Sequence, residues 1–218
     1  MPAPIDTYWQ LHLGKCKQAL EKNNFEVFLA AGAQAAGAIF IDEILPGIKP
    51  KTVSWGDSLT LAASGVLEAI RADPAIRMIE TFDPQASSQE RWERRRQALL
   101  SDLFFTGSNA VTETGLLVNL DMVGNRVAGI TFGPRHVVLF IGRNKIVPTV
   151  DEALRRVKNY AAPVNAIRHA GLKTPCMKTA VCTDCSSPDR ICNTWCITEK
   201  SFPRGRIKVI LIDQDLGL

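Results

Sequence analysis

The stretch FEVFLAAGAQAAGAIFIDEILPGIKPKTVSW, residues 25–55, decides the fold class. Phe25–Ala30 is a short apolar run of strand length. Ala31–Leu45 is Ala-rich, holds the helical period, and is closed by Pro46–Gly47; Thr52–Trp55 is strand-like again. Strand, helix and strand in that order and at those lengths predict parallel strands with helices laid on the sheet. Working outward, Ile5, Trp9, Leu13 and Leu20 fall near one face of a helix over residues 4–22. Downstream, Gly56-Asp57-Ser58 breaks the second strand, Leu59–Arg71 resumes the helical period, and Ile76–Glu80 is a third strand. Ser87 with Glu90 makes a capping box that opens a helix to Leu100.

The middle of the chain changes character. Asp102–Thr106, Gly115–Asp121, Val127–Thr131 and Val137–Ile141 are strand-like and separated by Gly/Asn turns, with no helix between them. Thr149 with Glu152 then caps a helix running to about Ala162. Residues 172–200 are loop-like, with one helical turn expected near Ile191–Cys196, and Ile207–Asp213 is an apolar strand placed centrally in the sheet. The expectation is one α/β domain over 1–218 with an antiparallel extension.

Composition sets bounds on function. With 46% hydrophobic and 22% charged residues, 218 residues build an ordinary core. The net charge of +4 owes much to Arg91–Trp92–Glu93–Arg94–Arg95–Arg96, which fits a solvated helix face. A nucleic-acid surface would need a broader basic patch with aromatics interleaved, so no nucleic-acid partner is expected. The apolar stretch 30–45 contains Gln34, Asp42 and Glu43 and is too broken to span a bilayer. No charged, apolar and small-residue sequence marks export, so a cytoplasmic protein with reduced thiols is expected. Homo-oligomers are compatible with all of this.

Three groups of residues can carry chemistry. Five of the six cysteines lie within 21 residues: Cys176, Cys182, Cys185, Cys192 and Cys196. Cys182 and Cys185, with two residues between them in the C-x2-C manner, can bite one ion, and Cys176 and Cys192 can complete the set. Four thiolates suit an iron–sulfur cluster and a structural zinc equally, so spacing does not choose between them. The second group is the polar loop 106–115, in which Gly107 lets backbone approach a ligand and Ser108, Asn109 and Thr114 offer short polar groups. Glu113 is the one carboxylate there and the candidate catalytic acid, base or nucleophile; a surface glutamate on a polar turn is the plain alternative. The third is Gly56-Asp57-Ser58-Leu59-Thr60, where a helix start can receive a small anion at Gly56, Ser58 and Thr60, or where Ser58 simply caps the helix. Arg126, in the turn Gly124-Asn125-Arg126, can clamp a carboxylate or phosphate.

The runs TGSNAVTETGLLV (106–118), GNR (124–126) and HVVLFIGRNKIVPTVDEAL (136–154) resemble the LUD domain of lactate-utilisation proteins. TPCMKTAVCTDCSSPDRICN (174–193) is similar to the cysteine-bearing branch of that family. The resemblance covers about the whole chain and is strongest from 101 onward. It implies an α/β three-layer sandwich with a mixed sheet, similar to the sugar-phosphate isomerase and CoA-transferase-like fold. It implies a role in oxidising lactate to pyruvate beside the subunits of a lactate-oxidation complex; the small anionic ligand is the expectation drawn above from residues 56–60 and Arg126. Its motif takes in Cys176, Cys182, Cys185 and Cys192, leaves Cys196 out, and favours a [4Fe–4S] cluster over zinc. The C-x2-C-x2-C-x3-C-P modules of the electron-carrying relatives are missing from the sequence. The carboxylate in a strand-end polar loop motivates a second expectation, an isomerase or CoA-transferase-like enzyme using the Gly107–Gly115 loop with Glu113, with zinc on the cysteines.

Overall fold

A computed structural model describes residues 3–218. Among the described residues ten strands are formed: β1 (Glu26–Ala30), β2 (Thr52–Trp55), β3 (Arg77–Ile79), β4 (Leu103–Gly107), β5 (Ala110–Thr112), β6 (Leu117–Asp121), β7 (His136–Gly142), β8 (Ile146–Val147), β9 (Thr194–Thr198) and β10 (Ile207–Ile212). The helices are α1 (Pro4–Lys22), α2 (Ala33–Ala38), α3 (Leu45–Ile48), α4 (Leu59–Ala62), α5 (Val66–Ala72), α6 (Ser88–Ala98), α7 (Asn125–Thr131), α8 (Val150–Arg156), α9 (Ala162–Arg168) and α10 (Cys176–Thr179). Wider π turns join α2 to α3 (Ile39–Ile44) and α8 to α9 (Val157–Ala161). The second lies just before Pro163, whose ring nitrogen has no hydrogen to donate, so the helical ladder must adjust there.

Six strands in the order β1-β10-β7-β4-β2-β3 form one sheet, every pair parallel. Side chains alternate between its faces, as a pleated strand requires. Phe105, Val138, Phe140 and Ile210 face the helical layer of α2–α5, meeting Phe40, Leu61, Val66 and Ile70. Val137, Leu139, Ile141, Val209 and Leu211 point the other way, against Leu13, Cys16 and Leu20 of α1 and Ile130 of α7. A second sheet, β8-β5-β6-β9, joins that layer through Val111 and Leu117, and its far side packs on Ala153 and Val157. It is mixed: β5 and β8 run parallel, while β6 is antiparallel to both β5 and β9. The result is an α/β sandwich, with the mixed character confined to the smaller sheet.

Three local expectations are corrected. Residues 127–131 are helical, not a strand: Gly124 takes φ +89, and the Asp121 carboxylate accepts the Arg126 and Val127 N–H groups at 3.0 Å each, starting α7. The helical turn of the cysteine segment is at Cys176–Thr179, while Thr194–Thr198 is the edge strand β9. The strand β10 has a partner on each side, yet stands next to the edge strand β1 instead of at the sheet's middle.

Candidate functional site

The parallel strands β2, β4, β7 and β10 all end on one side of the sheet, and a cleft of about 420 Å3 opens beyond their carboxyl ends. In open parallel α/β sheets this is where ligands are received, because the loops that leave the strands there diverge. Asp57, Ser58 and Leu59 line it after β2, Gly107, Ser108 and Asn109 after β4, and Lys145 after β7. The wall opposite comes from Val157 and Ala161 of the π turn and from Ala162, Asn165 and Arg168 of α9.

Each polar group is held by a local reason. Ser58 Oγ accepts the Leu61 N–H at 3.2 Å and so caps α4, a helix of only four residues. Gly107 has to be glycine: a Cβ there would stand 2.5 Å from Ser58 Oγ. Ser108 Oγ donates to the Ala110 carbonyl at 2.9 Å. Arg126, 12% exposed at its side chain, threads under the 107–109 loop. Its guanidinium donates to Asn119 Oδ1 (2.6 Å), Asn109 Oδ1 (2.6 Å) and the carbonyls of Gly107 and Leu120 (3.2 Å each), and it pairs with Asp121 at 2.7 Å. With its fork already filled, Arg126 shapes the cleft and lends it little free charge. Arg168 is likewise paired, with Asp57.

Lys145 differs. It is 4% exposed, lines the cleft, and its Nζ donates to Thr60 Oγ1 at 2.9 Å. Burial, then the positive charges of Arg156 and Arg126, push its pKa down to about 7. Arg156, itself held below the usual arginine range by burial, donates to the carbonyls of Asn144 and Asn109 and, among the described residues, to no carboxylate. The segment after β10 closes over the amine. Thr60 Oγ1 donates to the Leu216 carbonyl at 3.1 Å, and Gly217, at φ +68, brings its backbone in so closely that a Cβ would lie 2.5 Å from Thr60 Oγ1.

Of the residues marked in the sequence, Ser58, Gly107, Ser108, Asn109 and Arg126 converge on this cleft. Thr60 touches it through Lys145, and Gly56 packs behind it, a Cβ there being 2.8 Å from Thr106 Oγ1. Glu113 and Thr114 are elsewhere. Glu113 faces α1, with His12 Nδ1 3.4 Å from its Oε1, and its charge joins burial in raising the Cys16 thiol to about 12. Thr114 shares a 2.8 Å hydrogen bond with Thr112. Lys145, Arg168 and Asp121 are charged residues of the cleft that were not singled out from sequence. Position is the signal two of them carry: Lys145 comes three residues after an apolar strand, and Asp121 ends another.

Cys176, Cys182, Cys185 and Cys192 line a single crevice of about 20 Å3 with Arg190 and Ile191. Cys196 is apart on β9, its sulfur 3.3 Å from Thr131 Oγ1. Cations border the thiols: Lys158 Nζ lies 4.0 Å from Cys192 Sγ, and both Lys158 and Arg190 pair with Asp184. The donor set suits zinc or an iron–sulfur cluster. The room is that of one water-sized or ion-sized group, so a cuboidal cluster requires the 176–192 segment to open. Among the described residues no three His, Cys, Asp or Glu side chains stand close enough to hold a metal as they are placed. Ala162 and Ile191 line both crevice and cleft, so the two sites share a wall.

Comparison with known proteins finds a family model described as LUD domain over residues 13–212. Among solved structures, a DUF162 family protein from Deinococcus radiodurans superposes with a TM-score of 0.50 at 16% identity, covering 94% of this chain and 98% of that one. At that identity the likeness is one of fold. No curated protein matches the chain.

Proposed function

The chain belongs to the LUD domain family, and from that premise we propose that it is an accessory protein of lactate and 2-hydroxy-acid utilisation that holds a small carboxylate in its cleft. The observation that carries the reading is the buried amine of Lys145 beside Arg156, two basic groups with no carboxylate partner among the described residues, at the carboxyl ends of the parallel strands. Buried charge without a counterion is costly, and an anionic ligand supplies one. The cysteines are the second part of the proposal. Cys176, Cys182, Cys185 and Cys192 would hold the metal, an iron–sulfur cluster or zinc. A cluster, when bound, supplies one-electron transfer, and the shared wall at Ala162 and Ile191 would put it next to the acid and in reach of further subunits of a lactate-oxidation complex. Glu113 lines neither site, so the isomerase-like alternative draws nothing from the geometry.

The test is calorimetry with lactate on anaerobically purified protein, with iron, sulfide and zinc measured on the same sample. Arg168→Glu sets a second carboxylate against Asp57 inside the cleft and is expected to weaken binding at least about tenfold, the equivalent of about 1.4 kcal/mol. Unchanged affinity in that variant, or no heat from the unaltered protein, removes the anion reading. Absence of all three elements removes the thiol centre.

A further inference from the structure

We propose that Lys145 is a nucleophile and that its amine forms an imine with a small 2-oxo acid in the cleft. The inference rests on the anion reading above and adds a covalent step to it. Three observations carry it. Nζ lies at the cleft, within a loop that leaves the carboxyl end of β7, and its hydrogen-bond partner is a neutral hydroxyl, Thr60 Oγ1 at 2.9 Å. A lysine kept for an ion pair would face a carboxylate; the charged groups that act on this one are the guanidiniums of Arg156 and Arg126. Such surroundings favour the neutral amine, the form with a lone pair to give. Finally, Gly217 walls the amine with backbone alone, a Cβ there coming within 3.1 Å of Nζ.

A 2-oxo acid places a carbonyl beside a carboxylate, so one small molecule answers both the nucleophile and the uncompensated positive field. The lone pair of Nζ attacks the C2 carbonyl carbon and a C–N bond forms. The carbonyl oxygen takes up both amine protons and departs as water, leaving C=N. No oxidant or reductant is consumed, and hydrolysis reverses the step.

The experiment traps the imine. The full-length chain is incubated with pyruvate and cyanoborohydride at neutral pH, digested and mapped by mass spectrometry, with pyruvate binding measured separately by calorimetry without reductant. The expected result is reductive alkylation at Lys145 at least about tenfold above any other lysine, since a lysine of ordinary pKa, about 10.4, is almost wholly protonated there. Lys145→Arg and Lys145→Met should lose that adduct and keep the native circular dichroism. Should either variant fail to fold, the map of the unaltered protein decides alone. Binding without a preferred adduct at Lys145 overturns the imine and leaves the anion site standing. Neither binding nor adduct overturns both.

Discussion

Replacing Lys145 by methionine removes the amine while keeping a chain of similar length in the same space. Burial and two neighbouring guanidiniums hold this lysine at about 7 in place of 10.5. Each pKa unit is worth about 1.4 kcal/mol, so the folded state forgoes about 4–5 kcal/mol at pH 7 relative to a lysine that titrates normally. Against that, the variant leaves Thr60 Oγ1 without the 2.9 Å donor, although that hydroxyl still donates to the Leu216 carbonyl, a loss of about 1 kcal/mol. The net expectation at pH 7 is a variant more stable by about 3 kcal/mol. The sign with pH follows from proton counts. Between about 7 and 10.5 the unfolded chain carries a proton on Lys145 that the folded chain does not, so the unaltered protein gains stability as pH rises. Lys145→Met lacks that gain. Urea unfolding of both proteins at intervals from pH 6 to 10 should therefore show the variant's advantage falling by about 1.4 kcal/mol per pH unit across the window, reversing sign at about pH 9, and flattening below the window. Parallel curves would show that the amine keeps its proton in the fold, and the argument from burial would be wrong.

Arg126→Lys should cost about 2–4 kcal/mol in urea unfolding, because a point charge cannot serve Asn109, Asn119, Asp121 and two carbonyls at once and leaves buried acceptors bare; a loss under about 0.5 kcal/mol contradicts the filled fork. Gly107→Ala drives a methyl into Ser58 Oγ and to 3.3 Å from the Phe140 carbonyl, for about 1–3 kcal/mol and weaker lactate binding. Adding Ser58→Ala should recover part of that loss, and a purely additive double variant would refute the clash. Glu113→Gln should leave lactate affinity unchanged and alter stability by less than about 0.5 kcal/mol, since its pair with His12 is half-exposed and outside the cleft; a change in affinity would bring Glu113 back into the site.

The parallel sheet was legible because Phe25–Trp55 states its strand, helix and strand within one local stretch, and burial then follows period. Helix α7 was not. Val127, Ile130 and Thr131 are β-branched and favour strands, and what overrides them is the Asp121 carboxylate accepting two N–H groups five and six residues on, a contact that periodicity does not see. Strand β9 is likewise made by its partner: Thr194–Thr198 pairs with β6, more than seventy residues earlier in the chain. Within the candidate site, glycine and short polar residues pointed to the 107–109 loop, which lines the cleft, whereas Glu113 drew attention by charge and proximity along the chain alone. It sits past β5, whose course carries it away from the cleft to α1. Lys145 went unmarked because one lysine after a strand resembles any other until the segment that covers it is in place.

The two residues common to cleft and crevice make the chambers hard to alter independently. Ala162 is the smaller of them. A larger side chain there must take its room from one chamber or from both, so a variant selected for a bulkier acid would change its thiols' surroundings in the same step. The same partition gives a spectroscopist an internal reporter. Colour or fluorescence arising from a metal on the cysteines would respond to an acid that never touches sulfur, and saturation of the response would give the acid's own dissociation constant.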